Sequence, residues 1–345
     1  MIKLTHTFVA NGENNAVYTL SNSKGCEVDI LTYGARITRI WVPDRNGDFG
    51  DVIVGCKNPE DYYNTFGYYG AAIGRFGNRI ENAQFSIGDE TYQLEVNNGK
   101  NCLHGGKTSN FDRKVWKAEV DDNKLILSHL SEDGAGGFPG NLDVKIIYSL
   151  SEDCALRIEY IATTDKDTVC NLTNHAYFNL GGQDTIFGHE LMIKSRKITA
   201  CDDALIPHGE YMDIDGTPFS FYDGKLLGED MFSKEHLIAH CNGFDFNYCI
   251  ERASEKELEH FAYAYDKESG RRMDCYTTLP GVQLYTSNGG MNGFKGKKTY
   301  VNHCAFCLET QGYPNSPNCP EYPTTILKKG EVYNEVTVYQ FSIKD

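Results

Sequence analysis

Short runs rich in Val, Ile, Thr, Tyr and Phe recur along this chain, and Gly, Asn or Asp turns end them. β-branched and aromatic residues suit a pleated, half-buried surface, and the turn residues supply the reversals between strands. The clearest runs lie at 27–31, 37–42, 124–130, 143–150, 156–163 and 335–343. Helical periodicity is weak: 229–240 is the best candidate, and 254–260 offers another turn or two. An α/β fold needs strands that alternate with longer amphipathic helices, so the pattern points to one large antiparallel all-β assembly of stacked sheets. No linker, composition break or fixed-period repeat divides the chain, so residues 1–345 are expected to form a single domain.

Charge narrows the partners. The formal net charge is −15, which argues against nucleic acid and anionic membrane surfaces, since both call for clustered Lys and Arg. No apolar run approaches membrane-spanning length. The first ten residues show no apolar signal core, so the 12 cysteines are expected to be reduced thiols of a cytoplasmic protein. Cys304 and Cys307 have CxxC spacing, but they fall in an expected strand, where positions three apart face opposite ways. No second pair completes a zinc site, and no metal is expected. Asn171-Leu172-Thr173 fits a glycosylation sequon that matters only in a secreted protein.

Three segments carry candidate chemistry. In 171–180, read as a strand, Asn171, Thr173, His175, Tyr177 and Asn179 share one face, and a mainly apolar set shares the other. A strand lining a polar cleft has this pattern, and so does a half-exposed surface strand. In 303–313, Glu309 is an acid inside a largely apolar run. Acids are rarely buried without a partner, so this one is either a desolvated general base or a salt-bridged structural residue. In 97–106, a Gly pair follows His104 and permits a tight turn beside it, without any phosphate-loop fingerprint. No nucleophile elbow, HExxH or dinucleotide motif is present. The residues by themselves suggest cofactor-independent proton transfer or a binding site, with the substrate open.

Taken in order, the segments resemble the aldose 1-epimerase (galactose mutarotase) family over nearly the whole chain. The matching stretches are 74–80 (GRFGNRI), 98–106 (NGKNCLHGG), 137–140 (GFPG), 171–180, 243–245 (GFD), 279–283 (LPGVQ), 308–311 (LETQ), and 323–327 with 330–333. The resemblance implies a large β-sandwich of the galactose mutarotase type, with few short helices and a cleft for a free aldohexose such as D-galactose or D-glucose. By matched position it implies His175 as general acid, Glu309 as general base and an assisting His104. Asn78, Arg79, His104, Tyr177, Asp245 and Gln283 are implied as sugar ligands. The implied enzyme interconverts α and β anomers without a cofactor, as a monomer or weak homodimer.

Some residues depart from the family pattern: Phe246, Cys102, Phe76, Gly77 and Ser287. They bear on pocket shape and substrate preference, since no implied acid, base or ligand is lost. Three other readings compete. A hexose-6-phosphate 1-epimerase needs extra cations at the pocket rim. A non-catalytic sugar-binding module is expected to lack the acid or base. A glycosidase pairs two carboxylates, here Glu309 with Asp245, and leaves His175 idle.

Overall fold

A computed structural model describes residues 1–65, 67–254 and 256–344. Three antiparallel sheets dominate. The largest has nine strands, in spatial order Lys117–Asp121, Lys124–Ser131, Leu142–Leu150, Ala155–Thr164, Val332–Ile343, Arg271–Thr277, Glu259–Asp266, His189–Ile193 and Lys225–Leu226. A five-stranded sheet runs in sequence order from Ile2–Ala10 to Phe49–Asp51. A second five-stranded sheet is ordered Pro207–Asp213, Lys197–Cys201, Asp245–Cys249, Gly281–Tyr285, Cys307–Gln311.

All six strand runs read from the sequence fall inside observed strands. Their alternation sets which face is buried. In Leu142–Leu150, Leu142, Val144, Ile146 and Tyr148 are buried while Asp143 and Lys145 are exposed. Leu156, Ile158 and Tyr160 of the next strand join them, and the same core takes in Val28, Ile30 and Ile37 from one small sheet and Val282 and Leu284 from the other. Truncating one of these side chains to Ala costs about 2–5 kcal/mol, because the cavity adds to the lost transfer energy.

The helix expected over 229–240 is two short helices, Leu227–Asp230 and His236–Cys241. A turn at Asp230–Ser233 ends the first, and the Glu235 carboxylate caps the second by accepting from the Leu237 and Ile238 amides. The stretch 254–260 includes residue 255, outside the described residues, and closes in the strand Glu259–Asp266 rather than in a helix.

The expectation of wholly reduced thiols is corrected. Cys26 and Cys154 form a disulfide, and the other ten cysteines are free. The bond links the hairpin turn after Glu13–Ser21 to the one after Leu142–Leu150, joining a five-stranded sheet to the nine-stranded one. Asn22 reinforces the junction, donating to the Ser151 carbonyl at 2.9 Å. The partners lie 128 residues apart, so only docking of the sheets brings them together.

Two family-like stretches turn out to hold each other. The Arg75 guanidinium is 1 % exposed, and one of its amino groups donates to the Pro139 and Gly140 carbonyls at 2.8 and 2.9 Å. The other donates to the Ser131 carbonyl and hydroxyl. A buried guanidinium needs such partners. Arg75 and the 137–140 loop therefore build the scaffold, and Asn78 and Arg79 lead from it into the site.

Candidate active site

Cross-strand pairing builds one wall. Glu309 lies opposite Gln283, and Gln283 lies opposite Asn247. The Gln283 amide donates to Asp245 at 2.6 Å, and Arg79 approaches the other Asp245 oxygen at 3.8 Å. The Gln311 amide donates to Asn247 and Gln283, which holds that side of the wall still.

Two loops supply the histidines. The His175 backbone is fixed from both sides: its N–H donates to the Ala71 carbonyl, and its carbonyl accepts from Gly70. His104 and Asn78 exchange hydrogen bonds. The His104 amide donates to the Asn78 carbonyl, and the Asn78 amide donates to His104 Nδ1, both at 3.0 Å. Both residues have positive φ. Gly105 completes the turn, since a Cβ there would meet the Gly74 carbonyl at 2.1 Å.

These walls enclose a half-open cavity of about 260 Å³. Every residue implied as acid, base or ligand lines it: Asn78, Arg79, His104, His175, Tyr177, Asp245, Gln283 and Glu309. Such a volume lies below the ~300–1,000 Å³ of sites for drug-sized ligands and suits one small polar molecule.

The rest of 171–180 is corrected. Only Thr173–Asn174 forms a strand, and the segment is buried throughout. Asn171 donates to Gly77 and Gly312, Asn174 to Gly70, and Asn179 to Gln183 and Cys304. These asparagines satisfy backbone carbonyls and leave the cavity to His175 and Tyr177. Asn171 is 1 % exposed and cannot present itself to a glycosyltransferase. The five departures from the family pattern also lie off the cavity lining. Cys102 and Phe76 pack in a satellite core, Phe246 packs on Phe219, Gly77 abuts the Thr173 methyl, and the Ser287 hydroxyl donates to the Ala305 carbonyl.

The chemistry centres on one contact. His175 Nε2 lies 3.4 Å from Glu309 Oε1, with both side chains buried. Burial raises the Glu309 carboxyl well above its usual range, assisted by Asp245, and lowers His175 to about 3. Both shifts oppose a permanent ion pair. Both groups are thereby biased toward their neutral forms, at a separation across which a proton can pass. Glu309 Oε2 is buried and, among the described residues, has no hydrogen-bond partner, so its lone pairs are unsatisfied within the protein.

His104 is different. Burial and the neighbouring His175 keep it neutral, and its Nδ1 accepts the Asn78 N–H, so its hydrogen sits on Nε2. One ligand atom each from His104, His175 and Glu309 lie within 4.8 Å of one another, a spacing that could hold a metal ion. A metal at His104 Nε2 would have to displace that hydrogen, which the Asn78 amide opposes. As built, His104 is a fixed donor rather than a ligand.

The sequence reading missed Tyr68 and Tyr285, which also line the cavity. Tyr285 had a signal, since it shares a strand face with Gln283 two positions earlier. Tyr68 had none, since it sits in a loop without a pattern.

The chain is thus an antiparallel β protein with a buried imidazole–carboxylate contact in a small polar cavity. Residues 16–340 match the aldose 1-epimerase family. The chain is 40 % identical to galactose mutarotase from Sus scrofa over 321 residues, 92 % of this chain and 91 % of that one. It is 32 % identical to aldose 1-epimerase from Escherichia coli (strain K12) over 348 residues, 99 % of each. An aldose epimerase homologue from C. elegans superposes with a TM-score of 0.89 at 27 % identity, covering 96 % of this chain and 100 % of that one. Galactose 1-epimerase from Lactobacillus acidophilus NCFM superposes with a TM-score of 0.88 at 25 % identity, covering 100 % and 99 %. The chain belongs to the aldose 1-epimerase family.

Proposed function

We propose that this chain is a mutarotase that interconverts the anomers of a free aldohexose such as D-galactose or D-glucose, with Glu309 as general base and His175 as general acid. The 3.4 Å contact between those two groups, inside the hydroxyl-binding pocket, carries the reading. When sugar hydroxyls occupy the free Glu309 oxygen, the shared proton resides on His175 Nε2. Glu309 then takes the proton of the C1 hydroxyl while His175 gives its own to the ring oxygen. The C1–O5 bond breaks and an open aldehyde forms. Rotation about C1–C2 presents the other carbonyl face. The O5 hydroxyl adds to it, returning its proton to His175 as Glu309 reprotonates the carbonyl oxygen. No proton or electron is consumed. Each positioned acid or base contributes roughly 10²–10⁴-fold, and holding both against one substrate adds an orientation benefit.

The His104 Nε2 hydrogen aims a fixed donor at the oxygens around C1. Asp245, Arg79, Gln283, Asn78 and Tyr177 hold the remaining hydroxyls. Among the described residues Arg79 is the one cation lining the cavity and it faces Asp245, which favours a free sugar over a phosphorylated one. Asp245 already has partners and His175 has a partner to work with, which favours epimerisation over glycoside hydrolysis. The chain is proposed to act as a single domain, as a monomer or weak homodimer. Ten unpaired cysteines suit a reducing compartment such as the cytoplasm, with Cys26–Cys154 as the buried exception. No helix among the described residues is long and apolar enough to cross a membrane.

Polarimetry of freshly dissolved α-D-galactose and α-D-glucose tests the function. Wild type is expected to speed the approach to an unchanged final rotation, and His175→Ala is not. Folded wild type that accelerates neither sugar would overturn the assignment.

A further inference from the structure

The proposed cycle requires His175 to become an imidazolium in a dry pocket, and burial opposes that charge. Besides Glu309, something must make the cation tolerable. Two tyrosine rings stack nearly parallel on the imidazole. Tyr177 lies 4.9 Å from it at an interplanar angle of 20°, and Tyr68 lies 5.7 Å from it at 25°. Both distances are within the ~6 Å over which an aromatic face attracts a cation. Tyr285 and His104 meet the same imidazole edge-on, at 6.1 and 5.6 Å. Cys307 Sγ sits 3.5 Å from its Nδ1.

We propose that Tyr68 and Tyr177 are positioning residues whose π faces lock the His175 ring and stabilise its imidazolium form during turnover. The proposal rests on the reading of His175 as the general acid. It gives Tyr68 a role that no sequence pattern announced, and it gives Tyr177 a role through its ring as well as its hydroxyl. Burial keeps both phenols protonated, raising Tyr68 to about 12 and Tyr177 well above its usual range, so each acts as a neutral ring. Tyr68 also packs edge-on against His104 at 4.6 Å, which sets both histidines from one side chain.

Substitutions at Tyr68 separate ring from hydroxyl. Tyr68→Phe keeps the π face and is expected to lose less kcat than Tyr68→Leu. Tyr68→Leu removes it and is expected to lower kcat between about 2- and 30-fold with KM near wild type. Replacing Tyr68 by successively more fluorinated phenylalanines drains the π face at nearly constant shape, and kcat is expected to fall step by step. That series carries the test if the Leu variant fails to fold. A Phe variant as impaired as Leu, or a fluorinated series with flat kcat, overturns the proposal.

If wild type shows no mutarotation, the enzymatic reading falls and the ring effect is read directly. The His175 titration midpoint, followed by NMR, is then expected to be lower in Tyr68→Leu than in Tyr68→Phe. Glu309, His104, Cys307 and Tyr285 face the ring, and Arg36 acts on it from further away; all are unchanged between the two variants. Equal midpoints overturn the proposal.

Discussion

Glu309 and Asp245 are carboxylates on one sheet, lining one cavity, yet their surroundings are opposite. Asp245 is partly exposed, accepts from Gln283 at 2.6 Å and faces Arg79. Glu309 is 2 % exposed, one of its oxygens has no partner, and its neighbour is an imidazole that burial keeps neutral. A carboxylate given partners is pinned and serves to hold a ligand. One stripped of partners has a raised proton affinity and a vacant lone pair, so it can exchange a proton. In the proposed mechanism the same side-chain chemistry serves as a binding corner at Asp245 and a proton-transfer corner at Glu309.

The sharpest way to break this contrast is to exchange charge for amide at each corner. Glu309→Gln is expected to lower kcat by about 10²–10⁴-fold, measured by polarimetry. Adding His175→Ala is expected to cost little more, since members of one catalytic unit are not additive. Asp245→Asn is expected to act mainly through KM, raising it about tenfold or more, because it weakens charge-assisted hydrogen bonds to the sugar. Equal kcat losses at both positions would erase the distinction.

Stability sharpens the comparison from the other side. A carboxyl whose folded pKa is raised binds its proton more tightly when folded, so its burial destabilises the protein above the unfolded value of about 4.3. Glu309→Gln is therefore expected to raise Tm at pH 7, with the gain shrinking as pH falls through that value. Scanning calorimetry at several pH values checks this. Far from the site, Cys26→Ser is expected to cost ~2–5 kcal/mol of stability by chemical denaturation. Its kcat should match wild type wherever the variant is folded.

Much of this was legible before the fold was known. The six strand runs were, because alternation and turn residues act locally. Glu309 was, because an acid in an apolar run requires an explanation. His175 and Tyr177 were placed on the right face, but Asn171 and Asn179 were read with them although they serve backbone carbonyls. Alternation reports which way a side chain points, not whether space or backbone meets it there. The Cys26–Cys154 bond and the stacking of Tyr68 on His175 were not legible, because both arise from loops that meet only after the sheets have docked. The split of 229–240 into two helices depends on a turn and on a Glu cap, and neither interrupts the apolar pattern.

The central claim is that proton transfer and sugar holding are separable within one pocket, and Glu309→Gln tests it most directly. Galactose binding is measured by calorimetry, and anomer exchange by NMR on the same sample. The account predicts binding close to wild type with exchange about 10²–10⁴-fold slower than in wild type. Wild-type exchange rates in the variant, or a folded variant that no longer binds galactose, would contradict it.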